Sequence, residues 1–268
     1  MESKGWLYLG LIILALLLAT SLFAPLLAVY DPAQQNLESD LITHSAEHPL
    51  GTDKLGRDIL SRTMYGSRIS LLVGVTTVAI SVFVGLLVGS ISGYFGGWTD
   101  QITMRAIDIL LAFPGILLAI AITAVLGPGL SHVIFALCLI GWTSYARLVR
   151  GEILSLRETE FVQAAQALGC KARRVIFIHL LPNLLPPLLI QATFGMAAAI
   201  IGEGSLSFLG LGVEPPTPSW GSMLNEGRQF LLVAPHLTTY PGLAIMLTVL
   251  GLNLVGDGLQ DRLESRGR

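Results

Sequence analysis

Six long apolar runs with no central lysine or arginine constrain this chain more than any other feature. They lie at about Trp6–Val29, Ile69–Tyr94, Ala106–Leu126, Ser131–Leu148, Leu184–Leu209 and Tyr240–Val255. A helix needs about 20 apolar residues to cross the hydrocarbon of a bilayer, and in lipid its backbone satisfies its own polar groups. Composition agrees: 53% of residues are hydrophobic and 13% charged, with mean hydropathy +0.70, against about 25% charged in soluble domains. The expected fold class is all-α integral membrane, with six transmembrane helices. The first run has a lysine before it and small residues after it, as a signal peptide would. Its length of some 24 residues exceeds a signal core of about 7 to 15, so it is expected to stay as an anchor.

Lysine and arginine set the orientation, because the cytoplasmic side keeps the excess of positive charge. With the N-terminus inside, eleven basic residues face inward and five outward, so both termini are expected in the cytoplasm. The chain then divides into an N-terminal segment and first helix (1–30), an extracytoplasmic loop (31–68), a transmembrane domain (69–258) and a cytoplasmic tail (259–268). Within that domain, helices are expected at about 69–94, 106–126, 131–148, 184–209 and 240–255, with a cytoplasmic loop at 149–182.

That loop contains "FVQAAQALGCKARRVIFIHLLP" (161–182). Phe161, Ala165 and Leu168 recur at helical spacing, Gly169 is a natural C-terminal cap, and a second helix is expected from Lys171 until Pro182 and Pro186 disturb it. An amphipathic helix resting on lipid head groups is one reading of this basic and apolar segment. Outside, "HPLGTDKLGRDILSRTMYGSR" offers Thr52 or Asp53 as a cap and Asp58 with Arg62 as an i,i+4 pair. The second outer loop, "LGLGVEPPTPSWGSMLNEGR", sets a proline cluster beside Trp220.

Several chemistries are missing. The three lysines follow Ser3, Asp53 and Cys170, so no Gly-Lys pair of a phosphate-binding loop exists. No HExxH motif occurs, and Cys138 and Cys170 make no metal or redox pair. The net charge of −2 gives no ground for a nucleic-acid partner. Glu203, in "AAAIIGEGSLSFLG", is the one clear intramembrane carboxylate, which leaves a proton-coupled carrier as an alternative. Flanked by Gly202, Gly204 and Ser205, it is better suited to a helix or subunit interface.

The loop at 161–182 resembles the EAA loop of ABC importer permeases. Gln163, Ala164, Ala165, Gly169, His179, Leu181 and Pro182 keep its spacing, with Gln163 where the family has glutamate and His179 where it has isoleucine. "YGSRISLLVG", "GYFGGWTDQITMRAIDILLAFP", "LSFLGLGVEPPTPSWGSML" and "LNLVGDGLQD" extend the likeness over nearly the whole chain. It is similar to the second permease subunit of the dipeptide/oligopeptide/nickel importer family. That resemblance implies a type I ABC importer permease fold in a bacterial inner membrane, surrounded by lipid. The implied partners are a second, homologous permease, two cytoplasmic ATP-binding subunits and an extracytoplasmic substrate-binding protein. The chain would be no enzyme and hold no cofactor or metal, with ATP and magnesium bound by the ATPases. Phe161, Gln163, Ala164, Ala165, Leu168, Gly169, Lys171 and Arg173 would form the coupling contact. Glu203 and Ser205 would belong to the pathway or a subunit interface, and Pro215, Pro216 and Trp220 to a binding-protein contact. Peptide is the implied cargo, with glutathione or a nickel chelate as alternatives.

Overall fold

The computed structural model describes residues 2–264. It is all helical, with no strand among the described residues and only an isolated bridge between Thr52 and Asp58. The long elements are α1 (Glu2–Leu27), α2 (Ile59–Phe95), α3 (Gly97–Leu111), α4 (Gly115–Leu126) and α5 (Leu130–Arg157). A short α6 (Glu160–Ala167) and a one-turn α7 (Ala172–Arg174) follow. A π-helical segment (Val175–Leu180) then leads into α8 (Leu181–Phe208). On the other side α9 (Trp220–Gly227) precedes α10 (His236–Glu264). Five helices are long and apolar enough to cross a membrane, or six when α3 and α4 are taken as one bent span.

The expected single helix at 106–126 is two helices, bent by 81° between Leu111 and Gly115. Pro114 explains the break: it has no N–H to continue the ladder, and it pushes Phe113 out of helical geometry. Pro114 then starts α4, its carbonyl accepting from the amides of Leu117 at 3.0 Å and Leu118 at 3.1 Å. Two ion pairs, Asp100–Arg150 and Asp108–Arg147, hold α3 along α5.

Proline has the opposite outcome further on. The segment expected to break at Pro182 and Pro186 is continuous apolar helix from Ala172 to Phe208. The wider turn of the π segment absorbs the strain: the Leu181 amide reaches back five residues to the Ile176 carbonyl, and Asn183 Nδ2 donates to the His179 carbonyl at 2.7 Å. Neighbouring groups and local π geometry are how membrane helices accommodate proline.

The most extensive seam joins α2 to α5. On α2 its contact row is Gly85, Gly89 and Gly93, a GxxxGxxxG register that lets two helix backbones approach. A Cβ at Gly89 would lie 2.6 Å from the Ala146 carbonyl oxygen and 2.9 Å from Val149 Cβ. One at Gly93 would meet the Arg150 carbonyl oxygen and Ile153, each at 3.1 Å. Tyr145, Val149 and Ile153 continue from this seam into a buried cluster with Val162, Val175, Leu180 and Leu184. The same apolar body therefore roots the α2–α5 pair and the segment from α6 to α8. On the opposite flank α1 packs on α10, again through glycine: Gly251 admits Ile13, and Gly258 admits Leu7.

Replacing Gly89 by leucine is expected to force the seam apart, at a cost of about 1–3 kcal/mol typical of overpacking. The control is Gly151→Ala, because a Cβ at Gly151 meets nothing within 4 Å. Thermal unfolding of the detergent-solubilised protein should show a lowered Tm for the first variant and an unchanged or slightly raised Tm for the second.

Candidate functional site

The segment from Glu158 to Leu180 is an elbow between two rods. At one end α5 runs to Arg157, nine residues beyond the apolar run that begins it. At the other, the α7–α8 rod begins at Ala172. Helix α6 bridges them, with Val162 and Ala165 turned inward, 0% and 7% exposed. Phe161, Ala164 and Leu168 remain open, Leu168 at 86% exposure. Phe161, Ala165 and Leu168 were grouped on one helix face by their spacing; the fold divides that face, and Ala165 sits against this chain's own core. The three-residue step from Val162 to Ala165 was the signal for the inward face.

Gln163 is exposed, and its Nε2 donates to the Glu158 carbonyl at 3.1 Å, closing the turn between α5 and α6. A carboxylate at this position accepts only and could not make that bond. Gly169 has φ +79°, a left-handed conformation that costs an L side chain about 1–2 kcal/mol. Its amide donates to the Gln166 carbonyl at 2.9 Å, and the Cys170 amide donates to Ala165 at 3.1 Å. This paired arrangement is the Schellman ending of a helix. Lys171, Arg173 and Arg174 follow, all exposed and without an ion pair among the described residues. The elbow therefore presents an apolar ridge, Phe161–Ala164–Leu168, beside a cluster of free positive charge, held at fixed angle by a glycine turn.

On the other side, Glu203 is 1% exposed. Its carboxylate accepts from Ser207 Oγ at 2.7 Å and from Ser70 Oγ at 3.4 Å, tying α8 to α2. Ser205 is directed elsewhere: its Oγ donates to the Ile201 carbonyl at 2.8 Å, and it lines a cavity of about 600 Å³ that Glu203 does not reach. The two residues thus belong to different faces of α8.

Trp220 requires a correction. It was expected to meet a partner at the outer surface, but it is 1% exposed. Its Nε1 donates to the Thr63 carbonyl at 2.9 Å, and its ring fills the space opposite Gly66, where a Cβ would lie 2.9 Å from Cδ1. Ser219 caps the α9 turn that aims the indole inward. Pro215 and Pro216, joined by a cis peptide, are exposed.

A buried charge network had no place in the sequence reading. Asp53 engages Arg57 Nε at 2.6 Å and Arg62 Nε at 3.5 Å, and both arginines also pair with Glu226 at the end of α9. Asp58 does not pair with Arg62 as its i,i+4 spacing suggests. One of its oxygens caps α2 through the Ser61 amide at 2.7 Å, and the other meets His48 Nδ1 at 3.0 Å. Local capping took the nearer acid, and long-range folding supplied another. The loop at 31–58 is thereby locked onto α9.

Asp53→Asn leaves two buried guanidinium groups short of charge, and losing one member of such a set costs about 3 kcal/mol or more. A lowered Tm and new protease cuts within 31–58 are expected for this variant in the intact protein; wild-type resistance would show that the network does not hold the loop.

Comparison with known proteins fits this architecture. Residues 85–268 match the family model described as binding-protein-dependent transport system inner membrane component. Residues 7–46 match that of the N-terminal TM domain of oligopeptide transport permease C. The chain is 48% identical to the dipeptide transport system permease protein DppC of Alkalihalophilus pseudofirmus, over 96% of this chain and 84% of that one. It is 43% identical to the glutathione transport system permease protein GsiD of Pectobacterium atrosepticum, over 96% and 85%. An inward-facing structure of the MetNI methionine ABC transporter superposes with TM-score 0.61 at 19% identity, covering 77% of this chain and 96% of that one, which shows a shared fold. With a family model spanning more than half its length and relatives alike from end to end, the chain belongs to the inner membrane permeases of binding-protein-dependent ABC importers.

Proposed function

We propose that this chain is one of two homologous permease subunits of a peptide importer, driven by two ATPase subunits that dock on the α6 elbow. The single observation that carries the docking is the ridge of Phe161, Ala164 and Leu168, apolar and uncovered at the end of two rigid rods. Phe161 and Leu168 are anchors for an apolar groove, Ala164 allows close approach, and Lys171 and Arg173 meet acidic groups at its rim. Gln163 and Gly169 hold the ridge at its angle rather than touching the ATPase, and Ala165 supports it from within.

Movement of the ATPases then acts on α5 and on the α7–α8 rod together, a rigid-body mode of coupling. ATP and magnesium stay with the ATPases, and this chain performs no hydrolysis. Both termini lie in the cytoplasm, as the charge bias of the loops requires. The opposite face, with Pro215 and Pro216 exposed, receives the substrate-binding protein. The likeness to the dipeptide permease DppC supports a di- or oligopeptide cargo. The likeness to GsiD supports glutathione, itself a modified peptide, as the second reading. Competition of labelled dipeptide uptake by excess glutathione separates the two.

The coupling test uses the whole complex in proteoliposomes. Phe161→Glu together with Leu168→Glu should lower ATP-driven uptake at least about tenfold, the scale of losing interface anchors. Gly169→Val should reduce uptake through strain alone, because a Cβ there meets nothing within 4 Å. Full uptake in both variants, at normal membrane levels, would refute the docking assignment.

A further inference from the structure

Both arms of the elbow lead back to the loop at 31–58. The α5 arm does so through α2, which the glycine seam holds against α5 and which begins directly after the loop, with Asp58 as its cap and Arg62 in its first turn. The other arm is the α7–α8 rod, 37 residues and about 55 Å long at 1.5 Å per residue. Near its far end Gly204 carries α9: a Cβ at Gly221 would lie 2.4 Å from the Gly204 carbonyl oxygen and 2.7 Å from its Cα. Beside this contact Glu203 accepts from Ser207 of α8 and from Ser70 of α2, which fixes how α8 is turned. The eight residues of α9 then reach the loop. Glu226 pairs with Arg57 and Arg62, and a Cβ at Gly227 would lie 2.9 Å from Leu237 Cβ of α10.

The loop, α2, α5, the elbow, α8 and α9 thus form a closed circuit of direct contacts. The kind of contact decides what such a circuit passes on. A side chain between two helices can yield to a small displacement by changing rotamer. Where backbone lies on backbone, as at Gly204 and Gly221, no side-chain torsion is there to yield, and a close-packed interior transmits the displacement. At the other end the Glu226 carboxylate engages two buried guanidinium groups, and pulling it away would leave both short of charge. We propose that α9 is a strut that fixes the loop at 31–58 to α8, so that engagement of the binding protein at the face opposite the elbow displaces both arms together. Gly204, Gly221 and Glu226 are its positioning residues. The proposal rests on the importer reading of the chain and adds to it the route by which that face and the ATPases sense each other.

The test is made on the complete complex in proteoliposomes and reads the ratio of ATP hydrolysis with and without dipeptide-loaded binding protein. Gly221→Ala drives a methyl group against the Gly204 carbonyl and lifts α9 from α8. It should lower the ratio about threefold or more, within the range by which substitutions along a contact network change coupling. Hydrolysis without the binding protein should be kept, since the elbow is untouched. Coupling between two bound partners is reciprocal, so the same variant should also shrink the change in binding-protein affinity that a non-hydrolysable ATP analogue produces in the unsubstituted complex. Glu226→Gln cuts the other end with little change of shape and should give the same losses, which keeps the test open where Gly221→Ala does not assemble. A packing role alone would lower Tm and yield but leave both readouts unchanged in the complex that assembles; that result would overturn the proposal. So would a ratio near one in an unsubstituted complex that imports dipeptide, because nothing would then be transmitted. No ATP-driven dipeptide uptake by the unsubstituted complex would overturn the functional reading as well.

Discussion

The close approach of α2 and α5 is the constraint on which the rest of the molecule depends. In a bilayer there is little hydrophobic gain in burying one apolar helix on another, because lipid is as apolar as leucine. Association must come from dispersion contacts at short range, and Gly85, Gly89 and Gly93 provide that range by removing side chains from the seam. The backbone of α5 then lies against α2, and the cluster around Tyr145, Val149 and Ile153 grows out of the same seam toward α6. Without that approach, Val162 and Val175 would have no core to enter, and the α6 elbow would have no fixed position.

The elbow takes its geometry from small local decisions. A left-handed glycine ends α6, an amide side chain closes the turn before it, and a π segment lets the second arm continue past three prolines into the membrane. Each removes a degree of freedom between the exposed ridge and the spans. In the proposed docking, a mobile loop carrying the same ridge could bind the ATPase, but it would dissipate its movement instead of passing it to α5 and α8.

The sequence was most informative where a single physical rule acts alone. Apolar length marked the spans, and Gly169 marked the end of α6, since few other residues tolerate its backbone. Where two rules compete, the outcome lay in tertiary structure. Pro114 and Pro182 are the same residue in comparable apolar surroundings, yet one breaks a helix and the other is carried through it. The difference is a π turn and the Asn183–His179 bond, which hydropathy does not register. Trp220 beside a proline cluster has the composition of a surface anchor; its burial depends on Gly66, far away in sequence and on another helix. Asp58 was legible as an acid near an arginine, but the free amides of a helix start outcompeted the guanidinium.

The buried charge network has a consequence for the environment it meets. Asp53, Arg57 and Arg62 have side chains only 2–7% exposed, and Glu226 closes the remaining side of the cluster. Salt screens exposed charges within about 8–10 Å at ordinary ionic strength but acts far less on charges kept from water. By withdrawing its loop-locking charges from water, this protein makes the shape of its 31–58 loop largely independent of the salinity around it.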